Sequence, residues 1–259
     1  VAFQALGGSK TSFVLVPPLA QHVEMMWEQP VFWRPIQRLA SAFHFVQYDK
    51  LGTGLSDPSN GAHTLDERLD ELRAVLDAAG VERTWLGGFS EGSVIALAAA
   101  AEMPERIAGL VLISAYSGSS ALSHAAAYGP VPTRQQFRGF FEQVVARWGT
   151  ESTLTLSDFA PSLRSIPNMA RWLPRYERAA ASPAMIGALM ASGLRLDATP
   201  SLAEITQPAL VLHLAGDRVI PAAFGRMLAD RLEHARHVEL AGDDHFSWAS
   251  PTIDQQLDL

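Results

Sequence analysis

The stretch GGFSEGS, residues 87–93, sets one serine between glycines two positions away on each side. It follows the apolar run RTWLGGF (83–89) and runs into the alanine-rich SVIALAAAAE (93–102). Ordinary packing has no use for that arrangement. A serine in a tight strand-to-helix turn is aimed off the sheet edge, and small residues at the flanking positions, here Gly88 and Gly92, let strand and helix approach. The alanine-rich helix is narrow enough to lie close on a sheet. The pattern alone is weak, because chance supplies a match in roughly one protein in ten of this length. Its position between a buried strand and a helix makes Ser90 a candidate nucleophile.

Outward from that turn, SFVLVP (12–17), FHFVQYD (43–49), GLVLIS (109–114), ALVLHLAG (209–216) and RHVELAG (236–242) read as further strands. Their near-continuous hydrophobicity fits strands buried on both faces, as in a parallel sheet. Helical patterns lie between them. Thr64 opens TLDERLDELRAVLDAAG with Glu67 three residues on, a capping box; Leu65, Leu69, Leu72 and Leu76 share one face, and Gly80 ends it. Pro221 reads as a first-turn proline for a helix over 222–235. Alternating strands and helices imply right-handed crossovers and an α/β, doubly wound sheet. Residues 117–200 break this rhythm with irregular Pro and Gly and no convincing strand. Phe137, Phe140, Phe141, Trp148, Met169, Trp172, Met185 and Met190 fall there, either as a small core of a helical insertion or, for a few, facing the space between insertion and sheet.

At 259 residues the chain is long enough for one large domain or a domain with an insertion. A net charge of -7 argues against a nucleic-acid partner and weakly against anionic lipid. The absence of cysteine excludes disulfides and thiolate chemistry and fits a reducing, cytoplasmic compartment. No apolar run approaches a membrane span, and VAFQALGGSK has neither the length nor the pattern of a signal peptide. The chain begins without Met, which is compatible with an upstream leader. No metal-ligand spacing and no phosphate-binding loop stand out, so no cofactor is expected.

A serine hydroxyl needs a base to take its proton, and the base needs a group that orients it and stabilises its charged form. After a serine on such an elbow, an acid and then a histidine follow in chain order. VLHLAGDRVIP supplies Asp217 after its strand, and VELAGDDHFSW supplies His245 after the last one. Loops at the carboxyl ends of parallel strands share one edge, so the three can converge. Asp243 and Asp244 are alternative acids, although adjacent side chains rarely face each other. His44 and His213 fall within strand patterns, and His234 and His237 flank the last strand as solvated residues. His63 and His124 look like loop residues, whereas His22 lies near the reactive edge. A developing oxyanion needs N–H donors, expected from Glu91 and from the loop VPPLAQHVEMMW. Pro17 and Pro18 have none to give, so Leu19 is the first candidate there.

Together VPPLAQHVEMMWEQP, QYDKLGTGLSD, TLDERLDELRAVLDAAG, GGFSEGS, MPERIAGLVLIS, GDRVIP and GDDHF resemble the α/β-hydrolase superfamily. More narrowly, the chain is similar to the hydrolase-like domains that precede nucleotidyl cyclase domains in some bacterial proteins. The resemblance implies an α/β-hydrolase fold, with a core of 1–118 and 201–259 and a helical cap of 119–200. It also implies esterase-type chemistry by Ser90, Asp217 and His245, with a fused output domain downstream; the aromatic residues of the insertion point to a small ester with an apolar or aromatic acyl part as the substrate. Such relatives more often carry Gly at the position of Pro18. Two other readings stay open: another chemistry of the same three residues, such as lactone, amide or carbon–carbon bond hydrolysis or perhydrolysis, and a ligand-sensing domain without turnover.

Overall fold

A computed structural model describes all residues from 1 to 259. Seven strands form one sheet in the order β1-β3-β2-β4-β5-β6-β7. They are β1 (Phe3–Leu6), β2 (Ser12–Val16), β3 (His44–Tyr48), β4 (Thr84–Phe89), β5 (Ile107–Ile113), β6 (Ala209–Leu214) and β7 (Ala235–Leu240). All neighbours are parallel except β1, which runs antiparallel to β3. The sheet is thus the mostly parallel, doubly wound one expected, and β1 is an addition. Its four residues alternate half-buried and exposed at the sheet edge. So short a run carries almost no periodic signal.

The order of winding places the elbow. From β2 the chain moves outward to β3, then crosses back to β4 on the other side of β2 and continues outward through β5, β6 and β7. β2 and β4 therefore flank the point where winding reverses, and ligands bind outside the carboxyl ends of strands at such points. Leu19 follows β2 and Ser90 follows β4.

Helices α1 (Pro30–Ala42), α2 (Leu65–Ala78) and α3 (Glu91–Glu102) cover the first half of the sheet. The capping box of α2 forms: the Glu67 N–H donates to Thr64 Oγ1 (3.2 Å), and the Thr64 N–H donates to Glu67 Oε2 (2.8 Å). Its buried face carries Leu69, Leu72, Val75 and Leu76, but also Arg68 and Glu71, while Leu65 is only half-buried. α3 is buried all round from Glu91 to Ala100. A Cβ on Gly88 would lie 2.7 Å from the Ser93 Cα and 2.9 Å from the Ala96 Cβ. A Cβ on Gly92 would lie 2.4 Å from the Val16 carbonyl oxygen. Gly88 thus lets α3 sit on its own strand, while Gly92 lets it sit on the end of β2. Because the obstacle at Gly92 is backbone, Gly92→Ala is expected to cost about 1–3 kcal/mol in urea denaturation. Gly139 has open space around it in the middle of a helix, so Gly139→Ala is expected to stabilise by about 0.5–1 kcal/mol.

Between β5 and β6 lie α4 (Ala121–Ala125), α5 (Arg134–Arg147), α6 (Met169–Ala180), α7 (Pro183–Gly193) and short 3-10 turns. The two ends of this excursion are laced side by side by the Gly118–Asp197 bridge, by the Ser119 N–H on the Leu196 carbonyl (2.9 Å) and by the Ala198 N–H on the Ser117 carbonyl (2.7 Å). Val144, Leu154, Ala181, Ile186 and Met190 form a small core of their own. Met169 and Trp172 of α6 instead join Phe13, Phe32 and Phe45, which belong to the sheet and α1. Trp172 stacks on Tyr176 at 4.9 Å and lies against Phe32 at 5.4 Å.

After β6, α8 (Ala223–Arg231) is shorter than the helix expected over 222–235. Leu232 leaves the helix in an extended conformation to bury itself in the main core, and β7 begins by Ala235. Pro221 lies just before the N-cap residue Ala222 rather than in the first turn. A last short helix, α9 (Ile253–Leu257), follows β7. No helix is long and apolar enough to cross a membrane.

Candidate active site

Ser90 stands at the N-cap of α3 with φ 53° and ψ -121°. A side chain in this region of backbone space is strained by roughly 1–3 kcal/mol. The Ser90 N–H donates to the Ile113 carbonyl (3.0 Å), and its carbonyl accepts from the Ser93 N–H (2.9 Å). A serine at an N-cap ordinarily accepts from the first turn, but here the strained turn points Oγ away and it makes no capping bond. It meets His245 instead: Oγ and Nε2 are 2.9 Å apart.

His245 follows β7 and is buried against the rings of Phe89 (5.2 Å) and Phe159 (5.7 Å). Ser114, at the end of β5, donates its hydroxyl to the His245 carbonyl (3.0 Å) and fixes that stretch of backbone. On the far side of the ring, Nδ1 is 2.9 Å from Asp217 Oδ2. A carboxylate can only accept, so Nδ1 carries the proton; the neutral ring then offers a lone pair at Nε2, and the Ser90 hydroxyl donates to it. Asp217 is held in turn by the N–H groups of Val219 (2.9 Å) and Ile220 (3.0 Å) on Oδ1.

Burial pushes the Asp217 carboxyl up, but the His245 charge and hydrogen bond, with help from His213 and the Ile220 N–H, outweigh it and leave the pKa below its ordinary 3.8. A carboxyl depressed on folding contributes stability that is present above its unfolded value and disappears as pH falls through the folded one. The gap in urea midpoint between wild type and Asp217→Asn is therefore expected to narrow as the pH drops below 3.8.

Asp243 and Asp244 do not reach the ring. Buried Asp244 accepts the Ser162 N–H (2.9 Å) and thereby ties the 119–200 segment to the His245 loop. His213 is buried in β6, with Nε2 2.8 Å from the Ile220 carbonyl, and burial lowers its pKa. His44 sits in β3, and His234 is exposed. His237 lies within β7 and is half-buried, which corrects the solvated, flanking position expected of it: pairing with β6 opposite Val211 carries it into the sheet. His22 is structural. Its N–H donates to the Tyr176 hydroxyl (3.3 Å), and its Nδ1 accepts from the Met25 N–H (3.3 Å).

The N–H groups of Leu19 and Glu91 find no acceptor within the protein, and both residues line the cavity onto which Ser90 opens. The loop after Leu19 is pinned by Asp49, which accepts the Val23 N–H (3.0 Å) on one oxygen and the Leu55 N–H (2.9 Å) on the other. Burial drives this carboxyl up to about 7 against those two donors. A Cβ on Gly54 would strike Asp49 Oδ2 at 2.0 Å, which accounts for the second glycine of QYDKLGTGLSD.

One part of the site escaped the sequence reading. Lys50, fully buried, pairs its ammonium with Glu91 Oε1, and the other oxygen of Glu91 lies against Gly193 at the end of α7. Beside it, Arg68 pairs with Glu71 (2.7 Å), and Glu71 also accepts the Leu51 N–H. Burial lowers the Lys50 pKa, and Glu91 counters the shift. An acid directly after the serine and a lysine closing a buried strand were the available signals, but nothing in their spacing joins them.

The cavity above Ser90 measures about 770 Å³. Tyr116, Val219, Ile220 and Phe224 line its core side; Phe137, Phe141, Val145 and Met190 line it from α5 and α7. No group of three or more His, Asp or Glu stands close enough to hold a metal ion.

Comparison with known proteins bears on the same fold. A family model described as alpha/beta hydrolase fold matches residues 11–249. A putative carbamate hydrolase, RutD, of Azorhizobium caulinodans is 26% identical over 239 residues, covering 87% of this chain and 84% of that protein. The rhodomycin D methylesterase DauP of Streptomyces sp. (strain C5) is 29% identical over 237 residues, covering 81% and 78%. The solved structure of an esterase from Exiguobacterium antarcticum superposes with a TM-score of 0.77 at 17% identity, covering 99% of this chain and 91% of that one.

Proposed function

Since the chain belongs to the alpha/beta hydrolase fold family, we propose that it is a serine hydrolase of carboxylic esters with an apolar or aromatic acyl part. The observation that carries this reading is the unbroken run of hydrogen bonds from Asp217 through His245 to Ser90, opening on a largely apolar cavity. His245 takes the Ser90 proton at Nε2 as Oγ attacks the acyl carbon. Asp217 holds the ring in the required tautomer and stabilises the imidazolium that forms. The oxyanion is met by the N–H groups of Glu91 and Leu19, the former at the positive end of α3. The tetrahedral intermediate collapses, and His245 returns the proton to the departing alcohol. Water, deprotonated by His245, then attacks the acyl-enzyme; the imidazolium returns that proton to Ser90 Oγ as the acyl–oxygen bond breaks, and the acid leaves. Residues 119–200 act as a cap that walls the acyl group from water.

Carbamate hydrolysis is the second reading, favoured by the RutD relative and not by the methylesterase. Carbamate is a small polar anion, and an apolar space of about 770 Å³ offers it few partners. Substrate profiling separates the two: p-nitrophenyl butyrate and octanoate are expected to be hydrolysed, and the spontaneous breakdown of carbamate is expected not to be accelerated. A fluorophosphonate probe is expected to label Ser90 stoichiometrically, as checked by intact mass. Folded protein that takes no label would favour a ligand-sensing domain without turnover.

A further inference from the structure

We propose that the mouth of this cavity selects esters whose apolar acyl chain ends in an anionic oxyacid group, a carboxylate or a phosphate-type terminus. The inference rests on the reading of Ser90 as the reactive group and names the substrate class that the site takes. Five charged side chains line the cavity: Glu91, Arg134, Arg138, Glu142 and Arg195. Glu91 is at the floor, where Lys50 neutralises it. The remaining four stand at the exposed end, three cations to one anion, in a protein whose net charge is -7.

The three arginines come from two separate elements. Arg134 and Arg138 lie four residues apart in α5, hence on one face of the helix. Arg195 follows α7. Like charges at that helical spacing repel, and no acid within the protein relieves them: none of the three makes an ion pair. Glu142, a turn beyond Arg138, does not bond to it. Arg134 donates to the Ser119 carbonyl (3.2 Å) and Arg195 to the Ala191 carbonyl (2.8 Å), so each is tethered beside the opening with donors to spare. A guanidinium presents five N–H donors, and its fork matches the paired oxygens of an oxyacid. Ser90, Leu19, Phe137 and Val219 line the same cavity as these cations, so an acyl chain with its carbonyl at Ser90 would share one space with them.

The test compares three p-nitrophenyl esters of eight-carbon acids: mono-p-nitrophenyl suberate, its methyl-capped neutral counterpart, and the analogue ending in a phosphonate. At low salt, kcat/KM for at least one charged ester is expected to exceed that for the neutral one about tenfold, the scale of one charge-assisted hydrogen bond at a wet surface. The faster of the two names the terminus. In Arg134→Gln/Arg138→Gln/Arg195→Gln the ratio is expected to fall toward one, and in wild type it is expected to fall as salt is raised. A variant that is merely less stable loses rate on all three esters and keeps the ratio. Equal rates for charged and neutral esters in wild type would overturn the proposal while leaving the hydrolase reading intact. Calorimetric titration of the intact esters into Ser90→Ala protein gives the same comparison without turnover. If that protein binds the charged esters no more tightly than the neutral one, the proposal fails, whatever the chemistry proves to be.

Discussion

Ser90→Ala is expected to lower kcat toward p-nitrophenyl butyrate by on the order of 10⁴- to 10⁶-fold, with the fold retained. The substitution removes one hydroxyl whose contact is His245 Nε2, and it leaves α3, the sheet and the cavity untouched. The strained backbone at position 90 survives, since alanine also carries a Cβ, so the urea midpoint should barely move. What activity remains is that of bound water beside the oxyanion donors, and it should no longer show an acyl-enzyme burst. Rates and denaturation curves on the same preparation check both halves. Activity near the wild-type level in a folded variant would end the serine mechanism.

Lys50→Met is expected to be the most damaging substitution to stability in the region. It leaves the buried Glu91 carboxylate without its cation, and breaking a buried pair in this way costs about 3–5 kcal/mol. For a chain of this size that corresponds to a fall in melting temperature of roughly 10 °C. Glu91 also carries one of the N–H groups assigned to the oxyanion, so kcat should drop along with stability. The double variant Lys50→Met/Glu91→Leu removes both charges and is expected to recover most of the lost stability, because two well-packed apolar side chains are no worse than a desolvated pair. Calorimetric melting of wild type, the two single variants and the double variant measures the coupling directly. Simple additivity would mean that the pair is not a unit.

Local chemistry decided which parts of the molecule were legible in advance. The central strands were readable because a strand buried on both faces is a continuous apolar run, as in SFVLVP and GLVLIS. α2 was readable because Thr64 and Glu67 cap it within one turn. The elbow was readable because its requirement is steric and local: Gly88 and Gly92 lie where a Cβ would meet helix or strand backbone. β1 was not readable, since four alternating residues at an edge look like any loop. α8 stops short of the 222–235 that the sequence suggests because the pull of Leu232 into the core comes from packing rather than from a breaker residue.

The amino-acid sequence by itself determined the α/β alternation and the strained serine turn, because each is written in neighbours a few residues apart, and the order of Ser90, Asp217 and His245 is read directly along the chain. Tertiary structure alone decided the rest. Phe159 rather than the aromatics singled out beforehand packs on His245, α6 carries Met169 and Trp172 to the sheet while its Glu177 binds the insertion, and Lys50 reaches Glu91 across 41 residues. These are pairings between distant segments, set by the winding of the sheet and by the need of each buried charge for a partner. No local pattern encodes which partner it finds.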